Sequence, residues 1–259
     1  MQLYFIRHAQ SANNALWDQV GSGQGRSADP GLTETGLKQA EILAAYLSRP
    51  GPGAPDGQEI QNQDGFALTH LYSSLMVRAV ATGAILSQAL GLPLVAWPDL
   101  HEGGGVYLND EDSGEPTGLP GNPRSFFEAN YPALTLPPEL GEDGWWNRPY
   151  ETRPERRARA RRLLAELRQR HGNDHDRVAV VSHGGFFNHF MAVLLHLPDP
   201  AADIPGAPAA QNPAADLPGG PLPWFTMSNA AIARFDFTPD EIKVSYLNRA
   251  NFLPGELVT

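Results

Sequence analysis

Two histidines stand where buried strands are expected to end. His8 follows Arg7 and the apolar run over residues 3–6, and His183 follows the β-branched run over residues 178–181. In α/β folds, sites form beyond the carboxyl ends of strands, so we expect the two imidazoles to face one site. A neutral imidazole held in one tautomer can act as a nucleophile or carry a proton.

Phosphoryl transfer is a chemistry that such a pair of histidines could serve. It needs positive charge around the phosphoryl oxygens and an in-line approach of the nucleophile. Arginine suits this task because its planar fork donates two parallel hydrogen bonds to a phosphate. A second group must protonate the leaving oxygen, since an alkoxide departs poorly.

Five segments of the chain, in order, resemble blocks of the histidine phosphatase superfamily, which includes the cofactor-dependent phosphoglycerate mutases. The first reads Arg7-His8-Ala9-Gln10-Ser11, with Ala9 where the family more often has Gly, and Asn14 six residues after the histidine. The others begin at Leu-Thr (32–40), Ser-Ser (73–82), Leu-His-Glu (100–102) and Val-Ser-His-Gly-Gly (181–185). The order of all five indicates the family more strongly than any one block.

The resemblance implies a role for each matched residue. His8 is expected to be the nucleophile that forms a phosphohistidine, and Glu102 the general acid for the leaving group and then the base for water. His183 is expected to be a third catalytic residue, which donates a hydrogen bond to the phosphoryl group. The residues expected to bind the substrate's phosphoryl oxygens are Arg7, Asn14, Arg78 and Gly184.

Some of these assignments leave alternatives open. Glu102 is followed by three glycines, so its register is loose, and Asp99, Glu111 or Glu115 could supply the acid instead. Asn14 could simply cap a helix or turn. Asn229 precedes a late strand and could reach the same site.

Strands that alternate with helices predict an α/β fold, a three-layer α/β/α sandwich with a mostly parallel central sheet, as in the phosphoglycerate mutases. Helical spacing and capping residues predict helices from Thr33 to residue 47 and over 77–90, and a third opened by the capping box at Thr152. Apolar runs predict strands over 3–6, 68–72 and 178–181, and a hairpin over 231–237 and 242–247.

We expect a single domain over residues 1–259, interrupted by long insertions. These cover residues of about 49–65, 103–146 and 198–223, and segments of this length are typical of lids, binding loops or disordered insertions. Trp145 and Trp146, at the end of the second insertion, could stack on a substrate or could pack beneath the lid.

Composition excludes several other classes of protein. A net charge of −10 disfavours a nucleic-acid binder, and the absence of cysteine excludes disulfides and thiolate chemistry. No apolar run is long enough to span a membrane, and no signal peptide is evident, so we expect a cytoplasmic protein that acts on a small phosphorylated metabolite. We expect neither a metal nor another cofactor, and a homodimer remains open.

Three further features resemble functional sites but have simpler interpretations. His171 and His175, with Asp174 and Asp176, could suggest a metal site, but we expect solvated loop residues. The arginines of residues 153–170 are expected to form a solvated helix face. The glycine-rich loop of residues 21–26 lacks the remaining residues of a phosphate-binding loop.

Three functions are compatible with the motifs. A phosphomonoester hydrolase is favoured over a phosphoglycerate mutase, because the mutases' Glu-Arg-His-Tyr-Gly block is absent after Glu102. A non-catalytic protein that binds phosphorylated ligands would be expected to have lost the nucleophile, yet His8 is present.

Overall fold

A mixed seven-stranded sheet lies at the centre of the computed structural model, which describes residues 1–50, 59–198 and 223–259. Five strands run parallel to one another; the eighth strand of the chain pairs antiparallel with the first, and the ninth pairs antiparallel with the eighth. In chain order the strands of the sheet are β1 (Gln2–Arg7), β2 (His70–Ser73), β3 (Leu94–Ala96), β6 (Leu134–Thr135), β7 (Arg177–Ser182), β8 (Ile232–Phe237) and β9 (Ile242–Arg249). Their spatial order is β6-β3-β2-β7-β1-β8-β9, and β4 (Tyr107–Asn109) and β5 (Pro116–Gly118) pair separately.

Helices flank this sheet. They are α1 (Ala12–Val20), α2 (Glu34–Leu47), α3 (Val77–Leu90), α4 (Arg124–Asn130), α5 (Arg153–Arg170) and α6 (Gly184–Leu194). Helix α2 packs against α3, and α5 packs against α6. Connections through α2 and α3 move along the sheet in one direction and the connection through α5 returns, so right-handed crossovers put the two pairs on opposite faces. The predicted α/β sandwich with a mostly parallel sheet is confirmed.

The two histidine-bearing strands are buried on both faces. Residues 3–6 of β1 and 178–181 of β7 have almost no exposed surface, as expected for parallel strands covered by helices. Phe5 of β1 packs against Phe187 and Phe190 of α6, with ring centroids 4.9 and 5.6 Å apart. This contact fixes the start of α6 relative to the end of β1, and therefore His183 relative to His8.

Capping residues set the helix ends much as the sequence predicts. Thr33 accepts a hydrogen bond from Gly36 at the start of α2, Gly91 ends α3 in the left-handed region, and Thr152 with Glu155 forms the capping box of α5. The short strands β3 and β6 and the helices α1, α4 and α6 were not predicted. Helix α6 begins with two glycines, which disfavour a helix, and a short apolar run of this kind can equally be a buried strand.

The three expected insertions differ in what the structure shows of them. The second, residues 103–146, contains β4, β5 and α4, and its strand β6 extends the central sheet at its edge. Of the first, residues 51–58 lie outside the described residues, and of the third only residues 198 and 223 lie inside them. Among the described residues, no helix is long and apolar enough to cross a membrane.

The loop between α5 and β7 does not match its prediction as a wholly solvated segment. His175 and Asp174 are exposed as expected, but His171 and Asp176 are 4% and 8% exposed. Both are buried because they pack beside His70 at the start of β2, a neighbour more than a hundred residues away in sequence.

Candidate active site

His8 lies directly after β1, in the interior of the protein. Its amide donates to the carbonyl of Ser182 (2.9 Å), which ties the end of β1 to the end of β7. The side chain is 3% exposed, and its Nδ1 lies 2.7 Å from the carbonyl oxygen of Ala9. A carbonyl only accepts, so Nδ1 carries the proton and Nε2 presents a lone pair.

The lone pair of His8 faces a guanidinium. Nε of Arg78 donates to Nε2 of His8 over 3.1 Å. Burial, with Arg78 and then Arg7 nearby, holds the pKa of His8 well below its ordinary value. The imidazole is therefore neutral at physiological pH, which is the state that a nucleophile requires.

His183 directly follows β7 and meets His8, as the sequence predicts. The two ring centroids are 5.0 Å apart. Nε2 of His183 is 2.7 Å from Oγ of Ser74, whereas its Nδ1 is buried without a hydrogen-bond partner among the described residues. Burial lowers the pKa of His183 well below its ordinary value, helped by Arg78 and His8. Nδ1 is thus the ring atom that remains for a ligand.

Two arginines approach the histidine pair. Arg78 is 8% exposed, and its terminal nitrogen lies 3.6 Å from Oδ1 of Asp29. Arg7 donates to the carbonyl of Met227, and its buried Nε has no partner among the described atoms. Gly184 opens α6 against this arginine: a Cβ at its position would lie 3.4 Å from Nε of Arg7. The arrangement places cationic donors where an anion could bind.

Glu102 lies at the N-terminus of α6. Its carboxylate accepts from the amides of Gly185 (3.0 Å) and Phe186 (2.6 Å), and also from that of Gly103 (2.7 Å). The amides of Gly185 and Phe186 are among those that α6 leaves unpaired in its first turn, and the helix dipole favours an anion there. Glu102 also interacts electrostatically with both Arg7 and Arg78.

The alternative acids lie elsewhere. Glu111 and Glu115 are exposed around the turn that joins β4 to β5. Asp99 forms an ion pair with Arg162, 3.3 Å away. Of the four acids considered, Glu102 is the one whose carboxylate reaches the start of α6.

Asn14 occupies a capping position. Its Oδ1 accepts from the amide and hydroxyl of Ser11 (3.1 and 2.8 Å), which completes the capping box of α1. Asn229 donates to the same oxygen (3.2 Å) and to the carbonyl of His8 (3.0 Å). The two asparagines therefore link the histidine loop to helix α1 and to the start of β8.

A buried arginine supports the Glu102 segment and was missed from the sequence. Arg159 binds both carboxylate oxygens of Glu151 (2.7 and 2.8 Å) and donates to the carbonyls of Asp99 and His101 (2.7 and 2.9 Å). The prediction of a fully solvated arginine face on α5 is thus wrong at Arg159, and also at Arg157, which is 2% exposed. Arg159 lies four residues before buried Leu163, and this helical spacing was an available signal.

The two tryptophans pack within the protein. Trp146 is 4% exposed, and its ring centroid lies 4.7 Å from that of His101. The guanidinium carbon of Arg148 lies over the Trp146 ring, 3.9 Å from its centroid. Trp145 lies 5.8 Å from both Trp146 and His101. These contacts match the interpretation in which the pair packs beneath the inserted segment.

Similarity to known proteins covers most of the chain. Residues 3–212 match the histidine phosphatase superfamily (branch 1). A Yersinia pestis (strain Pestoides F) protein named "Probable phosphoglycerate mutase GpmB" is 33% identical over 102 residues, which are 39% of this chain and 38% of that protein. The match thus spans about two fifths of such curated relatives.

Two solved structures share the fold. A mycobacterial glucosyl-3-phosphoglycerate phosphatase with VO3 has a TM-score of 0.52 at 21% identity, covering 95% of this chain and 98% of that one. Phosphoserine phosphatase of Entamoeba histolytica with 3-phosphoglyceric acid has a TM-score of 0.54 at 17% identity, covering 98% and 99%. Since the family match extends over most of its length, the chain belongs to the histidine phosphatase superfamily, branch 1.

Proposed function

We propose that the chain is a phosphoric monoester hydrolase of the histidine acid phosphatase type, with Nε2 of His8 as its nucleophile. The observation that carries this proposal is the environment of that ring. Nδ1 is held by the Ala9 carbonyl, and Nε2 is directed at Arg78, so the lone pair of a neutral imidazole points to where a phosphoryl group would be bound.

The reaction would proceed in two displacements. In the first, Nε2 of His8 attacks phosphorus, the bond to the ester oxygen breaks, and Glu102 gives that oxygen a proton. In the second, water attacks the phosphohistidine, Glu102 takes the water's proton, and inorganic phosphate leaves with His8 restored. Before it can act as an acid, the Glu102 carboxylate must lose one of its hydrogen bonds from the backbone amides of α6 and take up a proton.

The phosphoryl oxygens would be held by the cationic donors around His8. With substrate bound, the Nε–H of Arg78 would donate its hydrogen bond to a phosphoryl oxygen instead of to His8. Arg7 would donate from its Nε, which has no partner among the described atoms. Nδ1 of His183 and the start of α6 at Gly184 complete this pocket. Asn14 would act on the same pocket from its place beside Ser11.

Hydrolysis is favoured over mutase activity by the segment after Glu102. Three glycines follow it, and a Cβ on Gly104 would overlap the rings of Tyr107 and Tyr150 at 2.8 and 2.5 Å. The mutases' Glu-Arg-His-Tyr-Gly block could not occupy this turn without displacing those tyrosines. The solved neighbours named above carry phosphatase names, whereas the curated relatives carry a mutase name.

The whole chain is proposed to act as one catalytic domain. The expected insertions would modify access to the pocket, and the substrate would be a small phosphorylated metabolite. The packing of Trp146 against His101 supports a structural use of the inserted aromatics and leaves the substrate's organic portion unassigned.

The proposal is tested by trapping the intermediate. Wild-type chain mixed with a ³²P-labelled phosphomonoester in the presence of a chelator should yield an acid-labile, base-stable adduct, followed by release of inorganic phosphate. His8→Ala should give neither, while His175→Ala, which changes an exposed histidine, should give both.

Other outcomes separate the competing functions. Turnover that is undiminished in His8→Ala would sink the nucleophile assignment. Interconversion of 2- and 3-phosphoglycerate without net phosphate release would identify a mutase. Binding of the phosphomonoester without any adduct would identify a non-catalytic binding protein.

A further inference from the structure

A second group of histidines lies at the opposite edge of the sheet from His8 and His183. His70 begins β2, His171 follows α5, and Asp176 precedes β7. Because β2 and β7 are parallel neighbours, with His70 opposite Val178, their amino ends meet at one edge. One potential ligand atom from each of the three residues lies within 4.8 Å of the others.

Each imidazole of this group has one ring nitrogen engaged by a hydroxyl. Nδ1 of His70 is 2.8 Å from Oγ1 of Thr69, and Nε2 of His171 is 3.1 Å from Oη of Tyr72. This leaves Nε2 of His70 and Nδ1 of His171 as the remaining nitrogens. Histidine ligands of metals show this pattern, in which a second group fixes the ring through its other nitrogen.

Nδ1 of His171 is the unusual atom of the cluster. It is buried, it has no hydrogen-bond partner among the described residues, and it lies 3.4 Å from Oδ2 of Asp176. When the Nε2–H of His171 donates to the Tyr72 hydroxyl, the lone pair of Nδ1 is turned toward Oδ2 of Asp176, which also offers lone pairs. In that tautomer two acceptors face each other in a buried space, and a cation between them would satisfy both.

We propose that His70, His171 and Asp176 form a binding site for a divalent transition-metal cation of the zinc type. Two imidazoles and one carboxylate are a ligand set that suits zinc, and water would supply the fourth ligand. Ligands of tetrahedral zinc at about 2.0–2.1 Å lie about 3.4 Å from one another. Nδ1 of His171 and Oδ2 of Asp176 already have this separation.

The site would be structural, because it lies at the edge of the sheet away from the proposed nucleophile. A bound cation would connect the loop after α5 to the first residue of β2. It would therefore stabilise the docking of α5, the helix whose Arg159 supports the Glu102 segment.

Zinc titration of the tag-free chain tests the proposal. After dialysis against a chelator, isothermal titration calorimetry with Zn²⁺ at neutral pH should show one equivalent bound, and thermal unfolding should shift to higher temperature. Saturating orthovanadate is included to occupy the pocket at His8. The chain has no cysteine, so no thiolate competes for the metal.

Variants assign the binding to these residues. His70→Ala changes a half-buried ligand, and Asp176→Asn keeps the shape of its side chain; both should abolish the binding and the thermal shift. Tyr72→Phe should weaken binding about 10–100-fold, as expected for an outer-shell partner. His175→Ala, in the same loop but exposed, should bind as the wild type does.

Two results would overturn the site. One is the absence of zinc binding by the folded wild-type chain. The other is binding that persists unchanged in both His70→Ala and Asp176→Asn. Should Asp176→Asn fail to fold, the Co²⁺ absorption spectrum of wild type and His70→Ala decides, since a tetrahedral site in the wild type must be lost in the variant.

Discussion

Arg78 lies between His8 and Asp29, and its replacement separates a role in catalysis from a role in folding. Its Nε donates to Nε2 of His8, and its terminal nitrogen lies 3.6 Å from Asp29. We expect Arg78→Met to lower kcat/KM about 10²–10³-fold, because a preorganised donor at developing charge contributes roughly 2.7–4 kcal/mol to transition-state binding. Arg78→Lys keeps the positive charge but lacks the planar guanidinium, so its kcat/KM should lie between those of the wild type and Arg78→Met.

The same substitution removes the cation from a buried carboxylate. Loss of one partner of a buried ion pair costs about 3–5 kcal/mol of unfolding free energy. Asp29 still accepts from the amide of Val77 (3.0 Å) and from Asn122 (3.2 Å), so we expect a smaller loss, about 1–3 kcal/mol.

The pH dependence of that loss follows from Asp29. Burial raises its pKa although Arg78 opposes this, so the pKa should rise further in Arg78→Met. A protonated Asp29 no longer needs a cation. The penalty should therefore be full at neutral pH and shrink as the pH falls through the raised pKa of Asp29, as measured by urea unfolding over this range.

The double variant Arg78→Met with Asp29→Asn is the matched control. It should recover the stability lost in the single variant but not its kcat/KM. If the double variant regained the wild-type kcat/KM, or if Arg78→Met alone kept it, Arg78 would act through folding alone and the reasoning would be refuted.

Three further predictions concern the loop of His8 and the start of α6. The imidazole of His8 should stay neutral in NMR titrations as the pH falls through 6.5, the ordinary midpoint of histidine, and a midpoint near 6.5 would contradict its lowered pKa. Gly36→Ala would place a Cβ 2.1 Å from the carbonyl oxygen of Gln10, so urea unfolding should show a loss of about 1–3 kcal/mol, and an unchanged midpoint would contradict the close approach. Gly185→Ala would place a Cβ 2.6 Å from Oε1 of Glu102, so turnover of alkyl phosphates should fall by up to about 10²-fold while that of p-nitrophenyl phosphate falls less; equal losses for both would argue against Glu102 as the proton donor.

The sequence predicted those parts of the fold and site that depend on local signals. Buried runs predicted β1 and β7, and the residues directly after them predicted that His8 and His183 would meet. Helix α6 gave no clear signal, because its first residues are glycines and a short apolar run cannot be told from a buried strand by its pattern alone. Its position nevertheless determines where Glu102 lies, so the hydrogen bonds of that carboxylate could not be predicted.

Contacts between distant segments were the other part that sequence could not provide. Arg159 looks like any other residue of an arginine-rich helix until α5 docks and Glu151 covers it. His171 and Asp176 resemble a polar loop until the register of β2 against β7 brings His70 beside them. In both cases burial results from an element elsewhere in the chain, whereas charge and loop position are the local features that a sequence shows.

The two histidine groups show how one physical effect can serve opposite ligands. His8 and His171 are both buried, and each directs one ring nitrogen at a charged neighbour. Nε2 of His8 faces the guanidinium of Arg78, whereas Nδ1 of His171 faces the carboxylate of Asp176. A cationic neighbour prepares a place for a phosphoryl anion, and an anionic neighbour prepares a place for a metal cation. Vanadate should therefore compete with the phosphomonoester without displacing zinc, and zinc should bind equally well when the pocket at His8 is occupied.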